Sequence, residues 1–157
     1  MVQAKVFHIV LVEPEIPANA GNIARLCAAT GSVLHLVHPL GFRRNHASMR
    51  RAGMDYLDIA TIREHHSLTE CIQGVPCVYY LTTKSTRPYW DAAFLPGDYL
   101  VFGRETKGLP EELLCRNKDC CLTVPMMERR ARSLNLSTTV GIVLYEAIRQ
   151  HILKSRQ

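Results

Sequence analysis

Short apolar runs rich in β-branched residues alternate along this chain with segments of helical spacing, and this alternation limits the fold more than any other feature. The apolar runs predict buried strands at 6–12, 33–37, 77–81, 99–102 and 121–124. The segments around them predict helices at 19–30, 45–53, 68–73, 110–115 and 137–152. Strands that alternate with helices are typical of α/β proteins, so we expect a parallel sheet with helices on both faces.

Length and composition predict one globular domain over residues 1–157. A hydrophobic share of 47% and a charged share of 21% exclude a disordered chain. Residues 1–12 lack the charged start and the cleavage site of a secretory leader. No apolar run reaches the ~18–20 residues that a membrane span requires. We therefore expect a cytoplasmic protein that does not contact a membrane.

The cysteine pattern predicts reduced thiols rather than a metal site or a disulfide framework. The chain has six cysteines, but no CxxC pair occurs and the adjacent Cys120 and Cys121 are poorly spaced for zinc. Cys27 lies in a predicted helix and Cys121 in a predicted strand, where a thiol serves as a small core residue. We therefore expect no bound metal.

The loops that follow the predicted strands are the places to look for function, because ligands of parallel sheets bind outside the carboxyl ends of the strands. After the first strand, Asn19 is suited to cap the next helix, and Arg25 follows within two turns, near the same crevice. The segment 82–84 after the third strand either borders a ligand-binding site or is an ordinary polar loop. The segment 125–138 carries three arginines and leads to Ser137, a predicted cap of the last helix.

The segment 102–110, which reads FGRETKGLP, is the most distinctive of these loops. A glycine directly after an apolar strand, here Gly103, lets a ligand approach the backbone. Gly103 and Gly108 have the spacing of a phosphate loop, but Leu109 and Pro110 stand where such a loop needs lysine and a hydroxyl residue. No GxGxxG follows the first strand. These features disfavour a nucleoside triphosphatase and a dinucleotide-binding enzyme.

The charge balance is mildly basic, with 19 Lys and Arg against 14 Asp and Glu and a net charge of +5. Two arginine clusters carry much of this positive charge. Taken alone, they fit either solvated faces or a phosphate-binding surface. The first cluster comprises Arg43, Arg44, Arg50 and Arg51, and the second comprises Arg129, Arg130 and Arg132.

Three motifs together resemble the SPOUT class of S-adenosylmethionine-dependent RNA methyltransferases. In order and spacing they match its 2′-O-ribose branch, and the short chain resembles most the tRNA (cytidine/uridine-34)-2′-O-methyltransferases. The resemblance covers essentially the whole chain, and RRAGMDY at 50–56 adds to it. The three motifs are NxGNxxR at 19–25, FGxExxGLP at 102–110, and VPM with RSLNLS between 124 and 137.

The resemblance implies a trefoil knot near the carboxyl end, a homodimer whose sites are completed by the partner, and S-adenosylmethionine as methyl donor. The implied reaction is methylation of the ribose 2′-hydroxyl at the wobble nucleotide of tRNA, with leucine tRNAs expected. Gly103 is expected to be a glycine because a side chain there would collide with the ligand. The donor-binding residues carried over are Leu81, Thr82, Gly103, Val124, Pro125, Met126, Ser133 and Leu134.

The resemblance also implies the catalytic positions and the surface that holds the anticodon stem-loop. Because a guanidinium with a pKa above ~12 is a poor base, we expect Arg25 to orient a phosphate beside the ribose. Glu105 is expected to hold the side chain of Arg25 or Asn19 in place. Tyr145 is interpreted as a core or interface residue and, with both arginine clusters, as an RNA contact. The catalytic set is Asn19, Arg25, Glu105, Ser133 and Asn135.

Three alternatives remain open from the sequence. The same chemistry fits another tRNA position or ribosomal RNA. A non-catalytic RNA-binding protein would retain the basic clusters without the reaction. A thiol-based redox or metal protein would use the six cysteines.

Overall fold

The computed structural model describes residues 7–154, except for the side chains of Met54, Leu153 and Lys154. Residue 6 of the first predicted strand lies outside this range. The strands are β1 (His8–Val12), β2 (Val33–Val37), β3 (Thr61–His65), β4 (Val78–Leu81), β5 (Tyr99–Phe102) and β6 (Cys121–Leu122). The α-helices are α1 (Pro17–Thr30), α2 (Ala47–Gly53), α3 (Leu68–Ile72), α4 (Glu111–Arg116) and α5 (Leu136–Lys154). Short 3-10 turns occupy 54–58, 89–91 and 118–120.

The six strands form one parallel sheet in the order β3-β2-β1-β5-β4-β6. This confirms the predicted sheet, with one strand more than the sequence indicated. The missed strand, β3, is an edge strand whose residues are exposed or half-buried. Its sequence, TIREH, has no apolar run because an edge strand with a wet face does not need one. The predicted strand 121–124 is shorter than expected and ends at Leu122.

Helices cover both faces of the sheet, as predicted. One face packs Ile9, Leu11 and Leu36 against apolar residues of α1 and α5. The other face packs Val10 and Val101 against α3, α4 and the segment before α4. Because the central strands are buried on both faces, they consist almost entirely of apolar residues.

The cysteines are all free thiols, and the two predicted to pack in the core do so. Cys27 of α1 and Cys121 of β6 are buried. Burial raises the pKa of the Cys27 thiol to about 12, so this thiol stays protonated and unreactive.

The structure corrects two predicted helix caps. Helix α1 begins at Pro17, and its capping residue Ile16 makes no side-chain hydrogen bond. Proline has no N–H to satisfy at the first helical position, so Asn19 lies inside the helix instead of capping it. At α5, the Asn135 carboxamide rather than Ser137 accepts the Thr138 amide at 3.3 Å, so Asn135 is the cap.

Helices α1 and α2 lie so close together that Gly21 has no room for a side chain. A Cβ at Gly21 would lie 2.3 Å from the Met49 carbonyl oxygen and 2.9 Å from the Ala52 Cβ. The glycine therefore allows α2, which carries Arg50 and Arg51, to pack directly on α1.

We expect Gly21→Ala to lower the free energy of unfolding by about 1–3 kcal/mol, because one helix must shift away from the other. The matched control is Gly141→Ala in α5, where the nearest atom to the added Cβ, on Leu26, is 4.0 Å away. That variant should be neutral or gain about 0.5–1 kcal/mol from helix propensity. Urea denaturation of both variants measures the difference. Equal stability of the two variants would contradict the close approach.

Candidate active site at the carboxyl ends of the strands

A cavity of about 520 Å³ opens at the carboxyl ends of β4, β5 and β6. The loops that follow these three strands line most of it, and the start of α1 contributes Ile16 and Asn19. The described lining from those loops comprises Leu81–Lys84, Phe102–Leu109, Thr123, Val124, Met126, Arg132–Leu136 and Thr139.

The protein's own backbone already requires glycine at position 103. A Cβ on Gly103 would lie 2.2 Å from the Gly108 carbonyl carbon and 2.3 Å from the Leu109 nitrogen. A side chain there would therefore clash with the protein's own loop, whether or not a ligand is bound. Gly108 itself has φ +66°, a left-handed conformation that glycine adopts without strain. The two glycines fold the segment 103–109 back on itself at the floor of the cavity.

The Glu105 carboxylate fastens this loop to the beginning of α1. It accepts hydrogen bonds from the backbone amides of Glu15 at 2.8 Å and Ile16 at 2.9 Å. The Asn19 carboxamide donates a third, longer bond of 3.4 Å to the same carboxylate. Of the two partners expected for Glu105, the structure therefore shows Asn19 and not Arg25.

Asn19 extends this network to the loop before α5. Its carbonyl oxygen accepts a hydrogen bond from the Asn135 carboxamide at 3.1 Å. The Asn135 oxygen accepts bonds from the Ser137 hydroxyl and the Thr138 amide. Glu105, Asn19 and Asn135 come from three motifs that are far apart in the sequence, and one chain of hydrogen bonds connects them.

Seven of the eight predicted donor-binding residues line the cavity, and Pro125 is not among the residues that line it. The seven comprise apolar side chains, two hydroxyl groups and Gly103. Ser133 and Leu134 are exposed, so the cavity is open on that side.

Arg25 lies away from the cavity, contrary to the expectation that it shares a crevice with Asn19. Its guanidinium carbon is 5.1 Å from the centre of the Tyr56 ring, a cation–π contact, and it does not line the cavity. Six residues along a helix correspond to a rise of about 9 Å and a rotation of about 240°. The two side chains therefore point in different directions from α1. The sequence reasoning missed Tyr56, although RRAGMDY contains it.

The predicted RNA-contact arginines are all exposed. Arg132 lines the cavity. Two of the others already have carboxylate partners, since Arg44 lies 2.9 Å from Glu64 and Arg130 lies 3.1 Å from Glu128. The hydrogen bonds from Arg130 hold the pKa of Glu128 below its usual value.

Tyr145 in α5 has 54% of its surface exposed, so it is not a core residue. This removes one of the three interpretations made from the sequence and leaves an interface or an RNA contact.

Three further cationic residues line the cavity, namely Lys84, Arg104 and Lys107. Arg104 pairs with Glu13, a residue that directly follows β1. Glu13 and Arg104 come just after two strands that are neighbours in the sheet. Their positions at the ends of predicted strands could have indicated this pair from the sequence.

Comparison with known proteins identifies the family of this chain. The chain belongs to the SpoU rRNA methylase family, whose model matches residues 6–145. It is 48% identical over 150 residues to a tRNA (cytidine(34)-2′-O)-methyltransferase from Acidovorax, an alignment that covers 92% of each chain.

Solved structures show the same likeness. A structure described as giving insight into 2-OH methylation of C/U34 on tRNA superposes with a TM-score of 0.88 at 43% identity. That match covers 94% of this chain and 97% of the other. An AdoMet-bound rRNA methyltransferase from Sinorhizobium meliloti matches with a TM-score of 0.81 at 27% identity, over 94% of this chain and 57% of the other.

We predict that Glu105→Gln lowers the free energy of unfolding by about 1–3 kcal/mol, because charge-assisted bonds to two backbone amides are weakened. Glu112→Gln is the matched control. Glu112 is exposed and, among the described residues, has an ion pair with Arg116 alone, one helical turn away, so its loss should change stability by less than about 0.5 kcal/mol. Thermal and urea unfolding compare the two variants, and an equal effect would contradict the anchoring role of Glu105.

Proposed function

We propose that this protein transfers a methyl group from S-adenosylmethionine to the ribose 2′-hydroxyl of cytidine or uridine at position 34 of tRNA, with leucine tRNAs as substrates. The observation that carries the proposal is the 48% identity over nearly the whole chain to a tRNA (cytidine(34)-2′-O)-methyltransferase. The site is consistent with it, because all three motifs meet at one cavity.

The cavity suits a donor of this kind in size and lining. Its volume of about 520 Å³ lies within the usual range of small-molecule sites. Leu81, Val124 and Leu134 offer apolar contacts, while the backbone of the loops after β4 and β5 offers hydrogen-bonding groups. When bound, S-adenosylmethionine supplies a methyl group already activated by its sulfonium.

The protein must then place the ribose hydroxyl within about 3–3.5 Å of the methyl carbon and provide for loss of its proton. The Glu105–Asn19–Asn135 network keeps the loops rigid around the cavity. We assign to Arg25 the orientation of the phosphate beside the target ribose. That phosphate or a water molecule takes the proton.

We propose that the active form is a homodimer in which Arg25 of one protomer serves the cavity of the other. Two observations support this arrangement. Arg25 points away from its own cavity, toward Tyr56. At the cavity mouth, Ile16 is 45% and Leu134 39% exposed, and Tyr145 of α5 is 54% exposed, which is apolar and aromatic surface that a second copy would cover.

The trefoil knot implied by the resemblance is also part of the proposal. After β6, at one edge of the sheet, the chain passes the cavity loops and returns as α5 to pack against α1. Such threading is rare among folds, and it would hold the segment 123–135 against the loops after β4 and β5.

The tRNA surface would combine the two arginine clusters of the dimer, since phosphate contacts give most of the affinity for RNA. The anticodon loop is single-stranded and is the kind of RNA that proteins read specifically. We place the reaction in the cytoplasm, where we expect the tRNA substrate. Within the part of the chain that the structure describes, no helix is long and apolar enough to cross a membrane.

The target is tested by incubating the purified protein with bulk tRNA and, separately, ribosomal RNA, using methyl-labelled S-adenosylmethionine. We expect the label on the 2′-oxygen of nucleotide 34 of leucine tRNAs. A Leu134→Arg variant, which fills the cavity with a charged chain, serves as the inactive control. Label at another tRNA position or in ribosomal RNA would contradict the proposed substrate. If calorimetry shows no binding of S-adenosylmethionine, the proposed methyltransferase activity is wrong.

The dimer is tested by mixing two variants expected to be inactive, Arg25→Ala and Thr82→Arg, since Thr82 lines the cavity and is not part of the surface assigned to the second copy. If Arg25 acts across the interface, each mixed dimer has one intact site, and random mixing restores about a quarter of the wild-type rate. If Arg25 acts within its own protomer, both sites of the mixed dimer are damaged and no activity returns. Methyl transfer after unfolding and co-refolding of an equal mixture distinguishes the two outcomes.

A further inference from the structure

Three histidines cross the sheet in a diagonal line on the face covered by α3, at the edge away from the cavity. His8 of β1, His35 of β2 and His65 of β3 lie on neighbouring strands. Nδ1 of His8 is 2.9 Å from Nε2 of His35, and Nδ1 of His35 is 2.8 Å from Nε2 of His65. None of these residues lines the cavity, so the proposed reaction does not explain the cluster.

A buried thiol completes this cluster. Cys71 of α3 lies over the same end of the sheet and has only 6% of its surface exposed, while His35 has 1%. One donor atom from each of His35, His65 and Cys71 lies within 4.8 Å of the other two. The three residues come from β2, β3 and α3, which explains why no metal-binding spacing is visible in the sequence.

We propose that His35, His65 and Cys71 bind a zinc ion. Two imidazole nitrogens and a thiolate are a donor set that zinc favours. A tetrahedral zinc with Zn–N distances of ~2.0–2.1 Å holds its nitrogens about 3.3 Å apart. The His35 and His65 nitrogens therefore need to separate by only about half an ångström. A water molecule takes the fourth position.

Each histidine has a polar group on the side of its ring that faces away from the metal, as metal-binding histidines usually do. With Nδ1 of His35 on the metal, its Nε2–H donates to Nδ1 of His8. With Nε2 of His65 on the metal, its Nδ1–H faces the Glu70 carboxylate, 3.9 Å away. The hydrogen bond to His8 selects the His35 tautomer that leaves Nδ1 free for the metal. At 3.9 Å the Glu70 carboxylate is beyond hydrogen-bond distance and acts on His65 through its charge.

The charges of the site balance once the thiol of Cys71 releases its proton to solution. One zinc ion carries two positive charges, and the Cys71 thiolate and the Glu70 carboxylate carry two negative ones. Arg63 of β3 is close enough to act electrostatically on His8 and His35 and opposes a cation. Arg63 is itself exposed, so solvent screens its charge.

The predicted consequence is structural, because the metal would join an edge strand and a one-turn helix to the centre of the sheet. β3 is a short edge strand and α3 spans only Leu68–Ile72. A metal bound only by the folded chain stabilises it by an amount that rises with the logarithm of the metal concentration above Kd.

The test adds zinc or cobalt(II) alone to the full chain, produced without a polyhistidine tag and freed of metal with a chelator. We expect one metal per chain, a cobalt spectrum with the charge-transfer band of a thiolate ligand, and a melting temperature that rises with zinc. Cys71→Ala should weaken zinc binding about 100-fold or more, and Glu70→Gln about 10-fold. His66→Gln, at the exposed neighbour of His65, should bind as the wild type does.

Failure to bind zinc at micromolar concentration would overturn the proposal. So would binding without the thiolate band in the wild-type protein, a measurement that does not depend on whether any variant folds. Equal affinity of Cys71→Ala and His66→Gln would overturn it as well.

Discussion

The Glu105 carboxylate is the contact on which the geometry of the candidate site depends. Its hydrogen bonds to the amides of Glu15 and Ile16 join the loop after β5 to the start of α1. An anion is also favourable near the amino end of a helix. Because Asn19 follows in the first turn, the same contact sets its orientation toward Asn135. Asn135 in turn caps α5, so the longest helix begins from the same network.

The parallel sheet separates two kinds of site in this small protein. Because the strands are parallel, their carboxyl ends lie at the same end of the sheet. There the loops after β4, β5 and β6 form the cavity. The histidine cluster lies on one face, toward the opposite end of the strand order, and packs under α3. A change in one site is therefore expected to leave the other intact, since none of the cluster residues lines the cavity.

The fold class and most cavity residues could be predicted from the sequence. Apolar runs of β-branched residues locate buried strands, and the polar loops after them locate the edge where ligands bind. Strand β3 was missed because its exposed face carries charges. The caps were wrong because proline starts α1 without needing one, and because Asn135 precedes Ser137 by two residues with a carboxamide of suitable reach.

The roles of several residues depended on contacts between distant parts of the chain. Gly103 is required by the backbone of Gly108 and Leu109, and Arg25 lies on Tyr56 rather than beside Asn19. The close approach at Gly103 does not follow from spacing, because it depends on how the loop folds back on itself. The spacing of Asn19 and Arg25 implies different directions from α1 but does not show that Arg25 meets the Tyr56 ring.

The sequence by itself determined the alternation of strands and helices, the two basic clusters and the three motifs, since each is a local pattern. Only the tertiary structure decided which of those motifs touch. It connected Glu105 to Asn19 and Asn135, turned Arg25 away from the cavity, and brought His35, His65 and Cys71 within ligand distance of one another. The physical reason is that parallel strands place residues far apart in sequence side by side, and the register that does so is set by packing of the whole core.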